Sequence, residues 1–182
     1  MIFNSTSLEG VQLIEPEKLK DERGFFARTF CIRDFHLHGI NMQIVQANIS
    51  YNRLKHTLRG MHYQAPPYEE EKIVQCTKGA IYGVLIDIRP DSTTFTEWAG
   101  FNLSGENRNI LYIPKGFAHG FLTLKDHTEV IYLMSEFHRP DAERGIRWND
   151  SFFEISWPDE IRIISEKDQK WPPFNPKSCS HE

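Results

Sequence analysis

The chain has 182 residues, of which 40% are hydrophobic and 25% charged, and its formal net charge is -4. This composition is typical of a globular protein and argues against a disordered or fibrous chain. A dedicated nucleic-acid binder needs a basic surface, which an excess of acidic residues does not supply. At roughly 150 residues per domain, we expect a single domain over residues 1–182 that has no nucleic-acid partner.

Cysteine content and the N-terminal sequence bear on the compartment. Cys31, Cys76 and Cys179 are too few and too scattered for a disulfide framework or a thiolate zinc site. Residues 1–16 lack the basic and apolar regions of a signal peptide, and no apolar run approaches the roughly 18 residues that a membrane span needs. The sequence therefore predicts a cytoplasmic protein with no membrane partner.

Short apolar segments rich in β-branched and aromatic residues recur along the chain and are separated by Gly, Pro, Asn and Asp, which is typical of all-β sandwiches and barrels. The predicted strands cover residues 11–14, 44–49, 72–77, 80–88, 97–103, 109–113, 120–124 and 129–135. Short helices are expected over 31–38 and 165–170, the second with Ser165 as N-cap. We therefore predict an all-β, double-sheet jelly roll with short peripheral helices.

The C-terminal segment differs from the rest of the chain. Pro172, Pro173 and Pro176 oppose regular structure from about Lys170 onward. We expect this tail to wrap the surface or to be partly disordered.

Polar residues inside strand-like segments are candidates for a binding site, because β-barrels bind ligands in their mouths. His62 lies in the segment 57–64, where Arg59 also interrupts an apolar run. His119 follows a Pro-x-Gly turn, and Tyr132 lies in an apolar strand. Taken singly, His62 fits a satisfied core histidine as well as it fits a site residue. His119 alone is weak evidence for a site, and Tyr132 alone fits a core tyrosine better than a catalyst.

Seven sequence blocks between about Leu13 and Trp171 share the order and spacing of a known family. They are 21–26 (DERGFF), 46–50 (QANIS), 58–64 (LRGMHYQ), 72–74 (KIV), 84–89 (VLIDIR), 113–121 (IPKGFAHGF) and 146–150 (IRWND). Together they closely resemble the dTDP-4-dehydrorhamnose 3,5-epimerases. The resemblance implies a cupin-type jelly roll, a homodimer in which a neighbour's strand completes the active site, and no cofactor.

The activity that the resemblance implies is metal-independent epimerisation at C3 and/or C5 of a nucleotide-linked 4-keto-6-deoxyhexose. Loss of a proton beside the carbonyl gives an enolate, so the reaction needs a base, an oxyanion stabiliser and an acid on the opposite face. His62 matches the family's base, and Asp168 matches the carboxylate that orients it. Lys72 matches the cation beside the enolate oxygen, and Tyr132 matches the acid.

The resemblance also implies a set of substrate-binding residues. They are Arg23, Arg28, Gln46, Asn48, Arg59, His119, His138, Glu143 and Lys167. Arg59 suits bidentate contact with the diphosphate, although a surface ion pair would fit it too. Arg23 would equally well cap a turn through its carboxylate neighbours.

Three positions depart from the family pattern. Arg28 stands where glutamate is common, Gly83 where aspartate is frequent, and His138 where a tyrosine usually stacks on the thymine. The catalytic set is complete while the nucleotide end is altered. A family member that inverts one centre, or that uses another nucleotide sugar such as a CDP-linked one, therefore remains an alternative.

Two other classes also remain open from the sequence. Pro114-x-Gly116-x-x-His119 resembles the second half of the metal-binding cupin pattern, which would suit a metal-dependent oxygenase. The first half needs two histidines separated by one residue, and His62-Tyr63-Gln64 does not supply them. We therefore expect no bound metal. The second class is a non-catalytic module that binds a sugar nucleotide.

Overall fold

The structure is a computed structural model that describes residues 1–176. Its strands are β1 (Ile2–Ser5), β2 (Gln12–Glu15), β3 (Leu19–Asp21), β4 (Gly24–Phe26), β5 (Gln46–Asn52), β6 (Thr57–Gln64), β7 (Lys72–Lys78), β8 (Ala80–Asp87), β9 (Trp98–Ser104), β10 (Ile110–Ile113), β11 (Phe117–Thr123), β12 (Thr128–Met134), β13 (Glu143–Gly145) and β14 (Ile163–Ile164). Two short helices, α1 (Ile32–Leu37) and α2 (Glu166–Gln169), complete the elements.

The strands form two sheets that face each other. The first has the order β1-β2-β10-β7-β12-β5, and the second has the order β13-β6-β11-β8-β9 with β14 added parallel to β6. The hairpin β3–β4 pairs with neither sheet. The crossovers between antiparallel strands confirm the predicted jelly roll, since neighbours in each sheet are distant in sequence.

The core lies between the sheets and is made of alternating inward-facing side chains. Its main cluster includes Val74, Leu85, Leu111, Phe121 and Val130, all 2% exposed or less. Burying each such side chain contributes about 1.5–3 kcal/mol. This packing holds the two sheets at a fixed separation, and any cavity between them is therefore preformed.

The predicted helices are both present and correctly bounded to within about one residue. α1 buries only Phe35, whose ring lies 5.2 Å from the ring of Phe3. At α2 the Ser165 hydroxyl accepts a hydrogen bond from the backbone N–H of Asp168 at 3.1 Å, as expected of an N-cap. No helix among residues 1–176 is long and apolar enough to cross a membrane.

Strand predictions fail where strands are short or polar. The eight predicted strands exist, and the strand-like segment 57–64 is β6. The short strands β1, β3, β4, β13 and β14 were not predicted, and β3 is exposed at all three positions. β11 starts at Phe117 rather than at residue 120. His119 therefore follows the Pro-x-Gly turn but already lies inside a strand, where its backbone pairs with both β6 and β8.

The segment after α2 packs on the second sheet as far as the structure describes it. The Phe174 ring lies 4.7 Å from the ring of Phe153, and its backbone N–H donates to Asp150 at 2.7 Å. The rest of the predicted tail, from residue 177 onward, lies outside the described residues, as does Cys179.

Candidate active site

A cavity of about 610 Å³ opens between the sheets at one end of the barrel. The first sheet lines it through β5, β7 and β12, the second through β6 and β11, and the segment 163–168 covers one side. Eight of the thirteen predicted site residues line it: Asn48, Arg59, His62, Lys72, His119, Tyr132, Lys167 and Asp168. Residues that are up to 120 positions apart in sequence thus meet in one place.

His62 and Asp168 form a hydrogen-bonded pair at the wall of this cavity. The Nε2 atom of His62 lies 2.7 Å from Oδ1 of Asp168, and the backbone N–H of Gly60 donates to Oδ2 at 3.2 Å. Burial alone would raise the pKa of Asp168, but the hydrogen bond and charge of His62 and the N–H of Gly60 hold it below its usual range. Asp168 is therefore ionised at neutral pH and fixes the proton of His62 on Nε2, which leaves Nδ1 as the basic nitrogen.

Gly60 makes this arrangement possible. Its φ is +128°, and a Cβ at this position would overlap the Cα of Gly120 on the adjacent strand β11. Only glycine combines this backbone conformation with such a close approach of two strands. The backbone of β6 is consequently turned so that the Gly60 N–H points to Asp168.

Tyr132 approaches the cavity from the first sheet, opposite His62. Burial raises the pKa of Tyr132, although the charge of Arg59 and a hydrogen bond with Ser50 oppose the shift. The phenol therefore remains protonated at neutral pH and can act as a proton donor. A ligand held between the sheets would have the imidazole on one face and the phenol on the other.

Lys72 supplies a buried cation to the same cavity. Its ammonium lies 2.8 Å from Oε1 of Glu70, and both residues are 8% exposed. The other carboxylate oxygen of Glu70 is buried and has no hydrogen-bond partner among the described residues. Because Glu70 neutralises Lys72, the charge can be buried and yet remain directed at a ligand.

His119 lies next to His62 across the β6–β11 pair and is 5% exposed. Its Nε2 is buried without a hydrogen-bond partner in the described part of the chain. Burial, the charge of Lys72 and the neighbouring His62 hold the pKa of His119 well below the ordinary value of 6.5. His119 is therefore neutral at pH 7, and it becomes charged only in more acidic solution.

The low pKa of His119 leads to a direct test. In an NMR titration between pH 6 and 8, the imidazole signals of His119 should stay constant, whereas an unperturbed histidine titrates near 6.5. In a Lys72→Met variant the repelling charge is gone, and the titration should move toward higher pH. A wild-type signal that titrates fully inside this window would contradict the buried, neutral state.

Comparison with known proteins identifies the family. The family model described as dTDP-4-dehydrorhamnose 3,5-epimerase matches residues 5–176. This chain belongs to the dTDP-4-dehydrorhamnose 3,5-epimerase family. It is therefore an isomerase of the epimerase type, and both the recognised resemblance and the cupin-type fold are confirmed.

Individual relatives of the epimerase family agree over nearly the whole chain. A dTDP-4-dehydrorhamnose 3,5-epimerase from Methanothermobacter thermautotrophicus is 43% identical over 175 residues, 94% of each chain. The Bacillus anthracis epimerase, solved with TDP and pyrophosphate bound, has a TM-score of 0.92 and 39% identity, covering 95% of this chain and 99% of that one. The Legionella pneumophila enzyme, in complex with dTDP-4-keto-L-rhamnose, has a TM-score of 0.86 and 37% identity, covering 92% and 89%.

A second cavity of about 390 Å³ adjoins the first. Asn48, His62, Lys72 and Met134 line both, so the two spaces form one continuous cleft. Three more of the predicted binding residues lie only in the second cavity: Gln46, His138 and Glu143. The predicted acid Tyr132 lines only the first cavity, whereas the predicted base His62 lies where the two cavities meet.

Glu143, which lines the second cavity, contacts two groups that can carry positive charge. The carboxylate of Glu143 forms an ion pair with Lys167, and its other oxygen lies 3.8 Å from Nε2 of His138. Arg59 lies in the first cavity, where its Nε donates to the Asn52 side chain at 2.7 Å. Arg59 forms no ion pair among residues 1–176, so the surface ion pair considered from the sequence is not present there.

Two predicted binding residues do not reach either cavity in this chain. Arg23 lies on the hairpin β3–β4, where its guanidinium is 2.6 Å from Asp21 and its backbone N–H donates to the same carboxylate. This is the turn-capping arrangement that the sequence left open. Arg28 lies 3.6 Å from Asp34 of α1.

Sequence reasoning missed three residues that contact the predicted set. Glu70 pairs with Lys72, Asn52 holds Arg59, and Trp171 lies beside His62. The spacing of Glu70, two residues before Lys72, was a usable signal, because alternate residues of an extended segment share a face. Trp171 gave no local signal, since its contact depends on how the C-terminal segment folds back.

One group of possible metal ligands occurs in the described part of the chain, at His56, Asp159 and Glu160. Nε2 of His56 lies 2.8 Å from Asp159, and Glu160 pairs with Arg162. Their carboxylates are exposed, and none of the three lines the cleft. These side chains thus have protein partners outside the site.

Proposed function

We propose that the protein epimerises C3 and C5 of dTDP-4-dehydro-6-deoxyglucose to give dTDP-4-dehydro-L-rhamnose. One observation carries the proposal: the imidazole of His62, paired with Asp168, and the protonated phenol of Tyr132 line one cleft from opposite sheets. Inversion requires a proton to leave one face of the sugar and to return on the other. The ligands of the related Bacillus and Legionella structures are of the matching class.

Proton abstraction is assigned to His62. Its Nδ1 takes the proton from C3 or C5, the electron pair of that C–H bond forms a double bond to C4, and the carbonyl π pair moves onto O4. The imidazole becomes positively charged in this step. Asp168, ionised and hydrogen-bonded to Nε2, stabilises that charge and keeps the ring in place.

Stabilisation of the negative charge on the enolate oxygen is assigned to Lys72 and the neutral His119. A cation that is buried in advance lowers the energy of a developing negative charge more than water would, because it does not have to reorganise. Glu70 fixes the Lys72 ammonium by its 2.8 Å contact. The neutrality of His119 avoids a second cation that would repel the imidazolium of His62.

Proton return is assigned to Tyr132. Its hydroxyl gives a proton to the opposite face of the enolate carbon, the carbonyl re-forms, and the phenolate regains a proton as His62 loses one to solvent. The atoms balance without an oxidant, reductant or metal. The same groups can serve both C3 and C5, since both carbons flank C4.

Substrate binding is assigned along the cleft. Arg59 would bind the diphosphate, while Gln46, Asn48, His138, Glu143 and Lys167 would contact the nucleotide side. Arg23 and Arg28 do not reach the cleft of their own chain, so they would bind substrate only in the cleft of another subunit. We infer a homodimer in which the hairpin β3–β4 of one subunit reaches the cleft of the other, because Phe26 is 70% exposed there.

Further expectations accompany this function. We infer that residues 1–182 form one domain and that the protein acts in the cytoplasm without a cofactor. A sedimentation measurement that finds only monomers at micromolar concentration would overturn the inferred dimer. Stoichiometric iron, nickel or manganese in the purified protein, with loss of activity on chelator treatment, would instead favour a metal-dependent oxygenase.

The function is tested by proton NMR in deuterium oxide. The chelator-treated protein is mixed with freshly made dTDP-4-dehydro-6-deoxyglucose, and the C3 and C5 proton signals are followed. We expect both signals to disappear and the signals of the L-rhamno product to appear. The CDP-linked sugar, run in parallel, should react at least tenfold more slowly.

The other outcomes each point to a stated alternative. Exchange at a single carbon would replace the double epimerase by a one-centre epimerase. Faster turnover of the CDP-linked sugar would indicate that the protein uses another nucleotide, in line with the departures from the family pattern at Arg28, Gly83 and His138. Binding without any exchange would support the non-catalytic module.

A further inference from the structure

The indole of Trp171 packs directly beside the His62–Asp168 pair. The ring centroids of Trp171 and His62 are 6.2 Å apart with an interplanar angle of 70°, an edge-to-face contact. Trp171 does not line the cavity that holds Tyr132 but a groove on the outer side, together with Tyr63 and Gly145. It therefore contacts His62 without competing with a ligand for the cleft.

Gly145 provides the seat for this indole. It is the residue of β13 that pairs with His62 of β6. A Cβ on Gly145 would overlap the indole carbons and nitrogen of Trp171. The absence of a side chain on the strand next to His62 is what allows the indole to lie there.

Two further contacts hold Trp171 in place. Its backbone carbonyl accepts a hydrogen bond from Nε of Arg147 at 2.5 Å, and the Lys167 ammonium lies 5.7 Å from the ring centroid. Its own Nε1–H is buried without a partner among the described residues. A buried N–H without a partner is unfavourable, so ring packing rather than a hydrogen bond of the indole sets this position.

The segment that carries Asp168 needs such an anchor. α2 has only four residues, far fewer than a helix needs to be stable alone. Ser165 caps its start, and Trp171 follows its end, three residues after Asp168. The carboxylate is thus held from both sides.

We propose that Trp171, seated on Gly145, is a positioning residue that fixes the His62 imidazole and the Asp168 carboxylate in the orientation needed for proton abstraction. The proposal rests on the proposed function, because it concerns the base of that reaction. Displacements of about 1 Å in catalytic groups can cost up to 10²-fold in rate. Loss of the indole should therefore lower kcat while leaving substrate affinity nearly unchanged.

The first test separates kcat from KM. We expect Trp171→Leu to lower kcat about 10-fold or more with KM within 2-fold, and Trp171→Phe to keep at least half of the wild-type kcat. Trp157→Leu is the matched control, since Trp157 is also half-buried, its Nε1–H donates to the Trp148 carbonyl, and it lines neither cavity of the cleft. Equal losses in Trp171→Leu and Trp157→Leu would indicate a general stability effect and overturn the proposal.

The second test changes Gly145 on β13, the residue against which the indole of Trp171 packs. Gly145→Ala alone should lower kcat about 10-fold, because the new methyl group displaces the indole. In the Trp171→Leu background the space is free, and Gly145→Ala should add less than a 2-fold loss. Additive losses in the double variant would mean that Gly145 acts independently of Trp171.

A third measurement needs no substrate and keeps the proposal separate from the proposed function. In ¹⁵N–¹H NMR, the His62 Nε2–H bonded to Asp168 should give a downfield signal in wild type and Trp171→Phe, and that signal should shift upfield or broaden in Trp171→Leu. If wild type exchanges no sugar proton but the signal behaves in this way, the function fails and the positioning role stands. An unchanged signal and unchanged kcat in Trp171→Leu would refute the positioning role.

Discussion

Replacing His62 with glutamine is expected to abolish detectable proton exchange at both sugar carbons, with kcat lowered about 10²- to 10⁴-fold, the usual contribution of a positioned general base. Glutamine can still donate to the buried carboxylate of Asp168, so that this charge keeps a hydrogen-bond partner. An amide is not basic at neutral pH and cannot accept a carbon-bound proton. The loss should therefore be in chemistry, with KM within a few-fold of wild type.

The measurement is the rate at which the C3 and C5 proton signals disappear in deuterium oxide. His36→Gln is the matched control, because His36 is an exposed histidine of α1 outside the cleft. Thermal unfolding should show that both variants remain folded. A His62→Gln enzyme within tenfold of the wild-type exchange rate would remove His62 from the role of base.

Much of the fold could be predicted from the sequence because its long strands are patterned locally. β7, β8 and β12 are apolar, β-branched segments ended by turn residues, and such patterns depend little on distant parts of the chain. The N-cap of α2 was equally local, since Ser165 and Asp168 are three residues apart. These elements carry Lys72, Tyr132 and Asp168, but the roles of these residues were predicted from the resemblance to the family, because a local pattern gives a strand or a cap and not a function.

The remaining features depend on contacts between distant segments. β3 and β4 are exposed on all their residues, so no burial pattern marks them, and Arg23 on this hairpin lies away from the cleft of its own chain. The short strand β14 exists because it pairs in parallel with β6, about 100 residues earlier. The seat of Trp171 on Gly145 likewise appears only when the C-terminal segment returns to β13.

Replacing Tyr132 with phenylalanine is expected to separate proton exchange from inversion. Without the hydroxyl, no proton returns from the first sheet, and the rate of product formation should fall about 10²- to 10⁴-fold. His62, Asp168 and Lys72 remain, so the base still removes a proton and can return a deuteron to the same face. The C3 and C5 signals should therefore fade while the sugar keeps its original configuration.

The control for this variant is Tyr112→Phe. Tyr112 is also a buried tyrosine, and its hydroxyl donates to Glu71 at 2.5 Å on the far side of the first sheet, outside the cleft. Burial raises the pKa of both phenols, so each variant removes a buried, protonated hydroxyl and the two differ in position. Inversion by Tyr132→Phe at the rate of Tyr112→Phe would show that another group or water delivers the proton. Exchange without inversion in Tyr132→Phe alone would tie the stereochemistry to the two opposed sheets of the barrel.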